Sequence, residues 1–392
     1  LPILSFLKPA TRFVKGAALS AAVLAVAACD PSSLNTGQRI STTAPVPVAL
    51  LVPAGSSNSG DALLAQSLEN AAKLAIADLE GVQIDLRVYQ TAGDPATAQA
   101  SALKAVDEGA KIILGPVFGE AANAAATAVA SQNINVLSFS NNTTIAGGNL
   151  FVLGPTFDNT ANRLVAFARA NGKDGIMSVY SQNSAGQLGN TAISNAIAAQ
   201  GARSAGAVGY EFSQEGVIAA VSQIKLTAEQ NLADALFLTS NTSGALPLLT
   251  QLLPESGLSS ETTQFIGLTR WDIPAQTLEL PGVQGGWFAL PDPALTDQFQ
   301  SRYAQAYGGL PHPIGGLAYD GIAAIGALVK SGNANALTSS ALTQGAGFQG
   351  VNGIFRLRTD GTNERGLAVA TIRDKKVVII DPAPTRFAGA GL

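Results

Sequence analysis

Cysteine and histidine are almost missing from this 392-residue chain: Cys29 and His312 are the only examples. A single cysteine excludes an internal disulfide framework. One residue of each kind also excludes a Cys/His zinc cluster and a Cys–His catalytic pair in the body of the protein. Charge is scarce as well, at 13% of residues against 47% hydrophobic, which is far too apolar for a disordered chain. The 23 basic and 27 acidic residues give a net charge of −4, so no basic surface for nucleic acid is expected. Past the N-terminal segment, no apolar run reaches the roughly 18 residues of a bilayer span. Enzyme signatures are absent too: there is no G-x-S-x-G elbow, no GxxxxGK[ST] loop and no GxGxxG after the first strand. Asp61, Asp94, Asp272 and Asp320 are scattered, without calcium- or magnesium-ligand spacing. His312 sits between Pro311 and Pro313, a stiff loop with no Ser or Cys partner, and reads as structural. No catalytic residue, metal or cofactor is expected.

What is present begins with an address. Lys8, Arg12 and Lys15 precede an apolar run, 16–28, that ends in Val26-Ala27-Ala28-Cys29. This is the n-region, h-region and small-residue cleavage site of a signal peptide. The cysteine placed directly after the cut resembles a bacterial lipobox. In that reading 1–28 is removed and Cys29 is lipidated, anchoring the protein in the periplasm to the inner or outer membrane of a Gram-negative bacterium. The segment 29–45, rich in Ser, Thr, Asn, Pro and Gln, is expected to be a flexible tether.

From Val46 the pattern alternates between strand and helix. Apolar 46–52 fits a buried strand, and 62–80 places Leu64, Leu68, Ala71, Ala75 and Leu79 on one helical face. Asp94-Pro95 starts a helix by cap and N1 proline. Strands at 112–114 and 134–140 follow, and the rhythm restarts after Gly154 with strands at 175–180, 235–239, 264–268 and 286–290. Helices are expected at 299–307 and 318–330, a strand pair at 353–357 and 367–372, and a loose tail at 383–392. The fold class is α/β, with two doubly wound parallel-sheet lobes and a central cleft.

In such sheets ligands bind beyond the carboxyl ends of the strands. The loops there supply the candidate ligand-binding residues: Ser56 and Ser57; Phe118 and Gly119; Ser140, Asn141 and Asn142; and in the second lobe Asn183, Ser240, Asn241, Thr269 and Arg270. These residue types offer neutral hydrogen bonds and open helix-start N–H groups, suited to a small polar or anionic ligand. The same residues serve equally as helix caps and turns. Trp271 and Trp287 are expected to be packed.

The motifs EGAKIILGPVF (108–118), INVLSFSNN (134–142), FQSRYAQAYGGLPHP (299–313), AYDG (318–321) and FQGVNGIFRLRTDG (348–361) together resemble type I periplasmic binding proteins of the leucine/isoleucine/valine-binding group. That resemblance implies three crossings between lobes, with lobe 1 as 46–153 plus 292–334 and lobe 2 as 154–291 plus 335–382. It also implies closure on a ligand. Amino-acid binders of the group hold the carboxylate with a Ser and a Thr, and the ammonium with an acid. Here Gly119, Asn142 and Thr269 occupy those positions. The stretch 88–122 (VYQTAGDPATAQASALKAVDEGAKIILGPVFGEAA) resembles the penicillin-binding protein activator branch. Its implied role is non-enzymatic: docking on a penicillin-binding protein, a peptidoglycan synthase, tuned by a cleft ligand. The alternative is a solute-binding lipoprotein serving an ABC permease.

Overall fold

The computed structural model describes residues 35–259 and 261–387. The signal-peptide segment, Cys29 and the first residues of the tether lie outside the described residues. Strand β1 (Val46–Val52) is a seven-residue apolar run buried almost throughout. Its side chains alternate between two interior faces. Val48, Leu50 and Val52 meet Leu64 and Leu68 of α1 (Ser59–Ala77) and Ile322 and Ile325 of α9 (Gly316–Lys330). Ala49 and Leu51 meet Ala98 and Ala102 of α2 (Pro95–Asp107) and Ala122 and Ala125 of α3 (Gly119–Val129). Burial on both faces is why the strand reads as a continuous hydrophobic run.

Four further strands complete the first sheet: β2 (Ile84–Gln90), β3 (Ile112–Leu114), β4 (Val136–Ser138) and β5 (Leu150–Val152). The order is β2-β1-β3-β4-β5, and every pairing is parallel. The chain then enters a second sheet through α4 (Phe157–Ala170), β6 (Gly175–Ser181), α5 (Ser184–Gln200), β7 (Arg203–Tyr210), α6 (Gln214–Gln230), β8 (Ala235–Leu238), α7 (Leu246–Glu255), β9 (Gln264–Gly267) and β10 (Trp287–Leu290). It returns to the first lobe as α8 (Pro293–Tyr307) and α9. There follow α10 (Ser339–Leu342), β11 (Phe348–Gly350), β12 (Gly353–Leu357) and β13 (Asn363–Arg365). Strands β14 (Ala368–Arg373) and β15 (Lys376–Asp381) close the second sheet, whose order is β15-β14-β10-β9-β8-β6-β7. Pairing from β6 to β10 is parallel; β14 and β15 add an antiparallel edge. Two doubly wound lobes are thus present. In each, the connections diverge to opposite sides of the first strand, between β1 and β3 and between β6 and β8. Crevices for ligands form at such switch points.

A buried polar clamp ties the crossings together. Arg365 pairs with Asp320 at 3.0 Å, and its Nε donates to Leu153 O, both side chains being almost wholly excluded from solvent. Asn363 Nδ2 donates to Val152 O and Gly154 O, and Asn159 of α4 donates to Asn363 Oδ1. Asp320 also accepts from Val351 N and Asn352 Nδ2. Gly350 is required beside it, because a Cβ there would stand 2.1 Å from Asp320 Oδ1.

Several sequence expectations need correction. Residues 36–40 of the tether are fastened to the first lobe. Thr36 Oγ1 donates to Asn135 Oδ1, Gly37 N to Asn133 Oδ1 and Ile40 N to Ala334 O, and the Ile40 side chain is buried. The stretch from Ala336 through β12 packs its Leu337, Leu342, Phe348 and Phe355 into the first-lobe core, not the second lobe expected for residues after 334. The strand pair expected at 353–357 and 367–372 is split: β12 pairs with β11 and β13, whereas β14 pairs with β10 and β15. The tail is not loose as far as Phe387, which is buried beneath the Arg356 guanidinium at 4.5 Å.

Candidate functional site

In the first lobe the switch-point loops follow β1 and β3. Ser56 Oγ accepts from Asn58 N, and Asn58 caps α1 through Gly60 N; Ser57 is exposed beside them. Asn58 also donates to Asp61, a carboxylate only 8% exposed in the first turn of α1. Gly93 leaves room for both Phe118 and Asp61. A Cβ on it would lie 3.0 Å from Phe118 Cε2 and 3.6 Å from Asp61 Oδ2. Phe118 itself is partly exposed and is the N-cap of α3, where it supplies no side-chain hydrogen bond. The first-turn N–H groups of α3 therefore lack a side-chain cap, and the helix dipole favours an anion there. Gly119 faces the β4 loop: a Cβ on it would meet Asn142 Nδ2 at 3.3 Å and Ser140 Oγ at 3.6 Å. Gly119, Ser140 and Asn142 are thus brought together. Asn142 uses its carbonyl oxygen on Thr144 N and Thr144 Oγ1, leaving its amide nitrogen toward Gly119. Asn141 is exposed next to it.

In the second lobe Asn183 caps α5 through Gly186 N and accepts from Ser181 Oγ. Thr269 Oγ1 donates to Ser240 O. Arg270 is held by Asp272, through Nε at 2.9 Å and a second close contact from Nη2. Asp272 is the carboxylate nearest in sequence to the ammonium-binding position, and its partner already neutralises it. Asn241 is exposed and turns the chain into α7, its carbonyl accepting from Gly244 N and Leu246 N. Ser240 is different: its Oγ is buried and has no hydrogen-bond partner.

Sequence reasoning missed Tyr210, at the carboxyl end of β7. Its hydroxyl is also buried without a partner. Burial pushes its pKa up to about 12, so it is a neutral donor at pH 7. Ser181 and Ser240 lie close enough to oppose that rise, but neither completes a hydrogen bond to the phenol. Thr239 Oγ1 is a further unpartnered hydroxyl at the end of β8. A tyrosine closing a strand is the only signal the sequence offers there, and the small residues of RSAGAVGY do not mark β7.

Trp271, Trp287 and His312 lie away from these loops or within packing. Trp271 is wholly buried between Gly267 and Gly286, and Trp287 packs edge-on to Phe167 at 4.9 Å. His312 receives Ile314 N on Nδ1, and burial lowers its pKa. Among the described residues, no group of three or more His, Cys, Asp or Glu could hold a metal ion, and no helix is long and apolar enough to cross a membrane.

A family model described as periplasmic binding protein matches residues 45–376. The chain belongs to the periplasmic binding protein family. Solved structures share the fold of this binding protein at low identity. A branched-chain amino acid ABC transporter periplasmic ligand-binding protein from Burkholderia xenovorans is 18% identical with a TM-score of 0.66, covering 86% of this chain and 96% of that one. An ABC transporter substrate-binding protein from Desulfitobacterium hafniense, in complex with Leu, is 17% identical with a TM-score of 0.61, covering 86% and 100%. A solute-binding protein of an ABC transporter from Rhodopseudomonas palustris, in complex with 3,4-dihydroxybenzoic acid, is 18% identical with a TM-score of 0.58, covering 88% and 97%. No curated protein matches.

Proposed function

We propose that this binding protein is a non-enzymatic, periplasmic solute-binding component of an ABC importer, and that its solute is a small carboxylate without an α-amine. One contrast carries the reading. The first lobe offers an uncapped helix start at Gly119, beside the Asn142 amide, for a carboxylate. The acid nearest in sequence to the ammonium position in the second lobe, Asp272, is already paired with Arg270. Burying an ammonium without a free carboxylate is costly. The relatives bound to leucine and to a dihydroxybenzoic acid show that related folds accept both kinds of solute; this site favours the second. The test is a thermal-shift screen of amino acids against the matching amine-free acids. Amine-free acids are expected to raise Tm by mass action, and their amino-acid counterparts to give little shift. A larger shift with leucine than with any amine-free acid overturns the proposal.

A second reading, regulation of a peptidoglycan synthase by protein contact, is favoured by the same loops. Ser56, Asn183, Thr269 and Arg270 are all engaged in local bonds, as in a cleft that has no solute to carry. Capture of a bifunctional penicillin-binding protein, together with a rise in glycan polymerisation and no thermal shift from any solute, would select it.

A further inference from the structure

We infer that a crevice on the second lobe, between the first turns of α6 and α7, is a subsite for a planar aromatic solute that carries a hydroxyl or carbonyl oxygen. It deepens the solute-binding reading by naming the class of molecule, and it rests on that reading only for the purpose of binding.

The crevice encloses about 380 Å³ and is lined by Tyr210, Phe212, Val217, Ala245 and Leu248, with Ser213 and Gln214 among its polar lining residues. That volume lies within the range of small-ligand sites and exceeds a single benzenoid ring. Its apolar walls are drawn from the end of β7, the first turns of α6 and α7, and Phe212 and Ala245 just before those helices. Phe212 is 60% exposed, a large aromatic surface open to solvent. It lies against Gly244, where a Cβ would come within 3.3 Å of the ring; the glycine lets the ring stand at the crevice wall. An exposed aromatic beside an apolar pocket presents a face for offset stacking on a flat ligand.

The polar feature points the same way. Tyr210 is 2% exposed and Ser240 5%, and neither hydroxyl has a hydrogen-bond partner. Buried polar groups in native structures are nearly always satisfied, and those that are not call for a missing partner. Tyr210 closes the edge strand β7 and lines the crevice, whereas Ser240 follows β8 and does not line it. No charged side chain lines the crevice, so a neutral oxygen on an aromatic ring answers the unmet Tyr210 hydroxyl better than an ion does. An aliphatic amino acid would satisfy neither the stacking face nor the Tyr210 hydroxyl without also burying its ammonium.

The test uses the intact protein and three probes, 4-hydroxybenzoate, benzoate and leucine, titrated by calorimetry, with small-angle scattering to follow lobe closure. Phe212→Ala removes an exposed ring and leaves the core untouched; it should weaken 4-hydroxybenzoate about tenfold. Leu248→Trp fills the crevice and should abolish binding of both aromatic acids. Tyr210→Phe should weaken 4-hydroxybenzoate about fivefold or more and benzoate less than twofold, a difference that general loss of structure would not produce. Absence of binding by 4-hydroxybenzoate, or binding unchanged in Phe212→Ala and Leu248→Trp, overturns the inference. If leucine closes the lobes while the crevice variants behave as wild type, the inference fails and a solute-binding role stands. If 4-hydroxybenzoate binds at the crevice but no solute closes the lobes, the inference stands and the importer role fails.

Discussion

Asp78, at the end of α1, is held by Arg302 of α8 and Tyr319 of α9. Burial alone would raise its carboxyl, but the hydrogen bonds from Arg302 and Tyr319, with the Arg302 charge, outweigh it and keep the pKa below the ordinary 3.8. A carboxyl depressed on folding stabilises fully above its unfolded value, and that stabilisation is lost as pH falls through the folded value. Asp78→Asn should therefore be less stable than wild type at pH 7, and the gap should close as urea melts are taken below pH 3.8. A gap that stays constant to pH 2 would show that the charge of Asp78 is irrelevant. At this scale the sequence was informative where a residue acts on its near neighbours. Asp94 before Pro95 does cap α2 through Thr97 N, and Asn183 caps α5. It was silent where the partner is remote. Nothing near Tyr210 in the chain announces that Ser181 and Ser240 lie close to it, and nothing near Gly93 announces that Phe118 and Asp61 both stand beside it.

Among the elements, the clamp of Asp320 on α9 and Arg365 on β13 carries the clearest energetic consequence. Both side chains are buried, at 0% and 3% exposure. Removing one member leaves an uncompensated buried charge, at a cost of about 3–5 kcal/mol, whereas replacing both by apolar groups is often far milder. Denaturant unfolding should show Asp320→Ala losing stability in that range, and Asp320→Leu with Arg365→Met recovering most of it; equal losses in the two would remove the charge argument. The elements that were legible are those whose burial pattern matches one period. The run at β1 and the alanine faces of α2 and α3 belong here. Strand β7 was not legible, because RSAGAVGY has small residues and an exposed edge in place of large alternating side chains. The strap at 36–40 reads as a linker by composition, yet Asn133 and Asn135, nearly a hundred residues away, supply the hydrogen bonds that fix it.

For the whole molecule, the proposal of a lipid anchor at Cys29 makes a separate prediction. Cys29→Ser should move the protein from the membrane fraction to the soluble periplasmic fraction without changing its melting temperature. Continued membrane association would dismiss the lipobox reading. Two doubly wound lobes were legible because the strand–helix rhythm restarts after Gly154. Where the third crossing falls was less so, since the packing of Leu337, Phe348 and Phe355 depends on a first-lobe core assembled from distant parts of the chain.

The returning path of the polypeptide also governs the order in which the protein can be completed on the ribosome. When β5 emerges, the face of the first sheet formed by Val48, Leu50 and Val52 has only α1 against it; Leu317, Ile322 and Ile325 belong to a helix not yet synthesised. The nascent first lobe must hold an incomplete apolar surface while the entire run from α4 to β10 is made. A chain arrested just after β10 would carry a second sheet lacking its antiparallel edge and a first sheet still uncovered on one side. Such arrested chains should be the species most in need of chaperone protection during export.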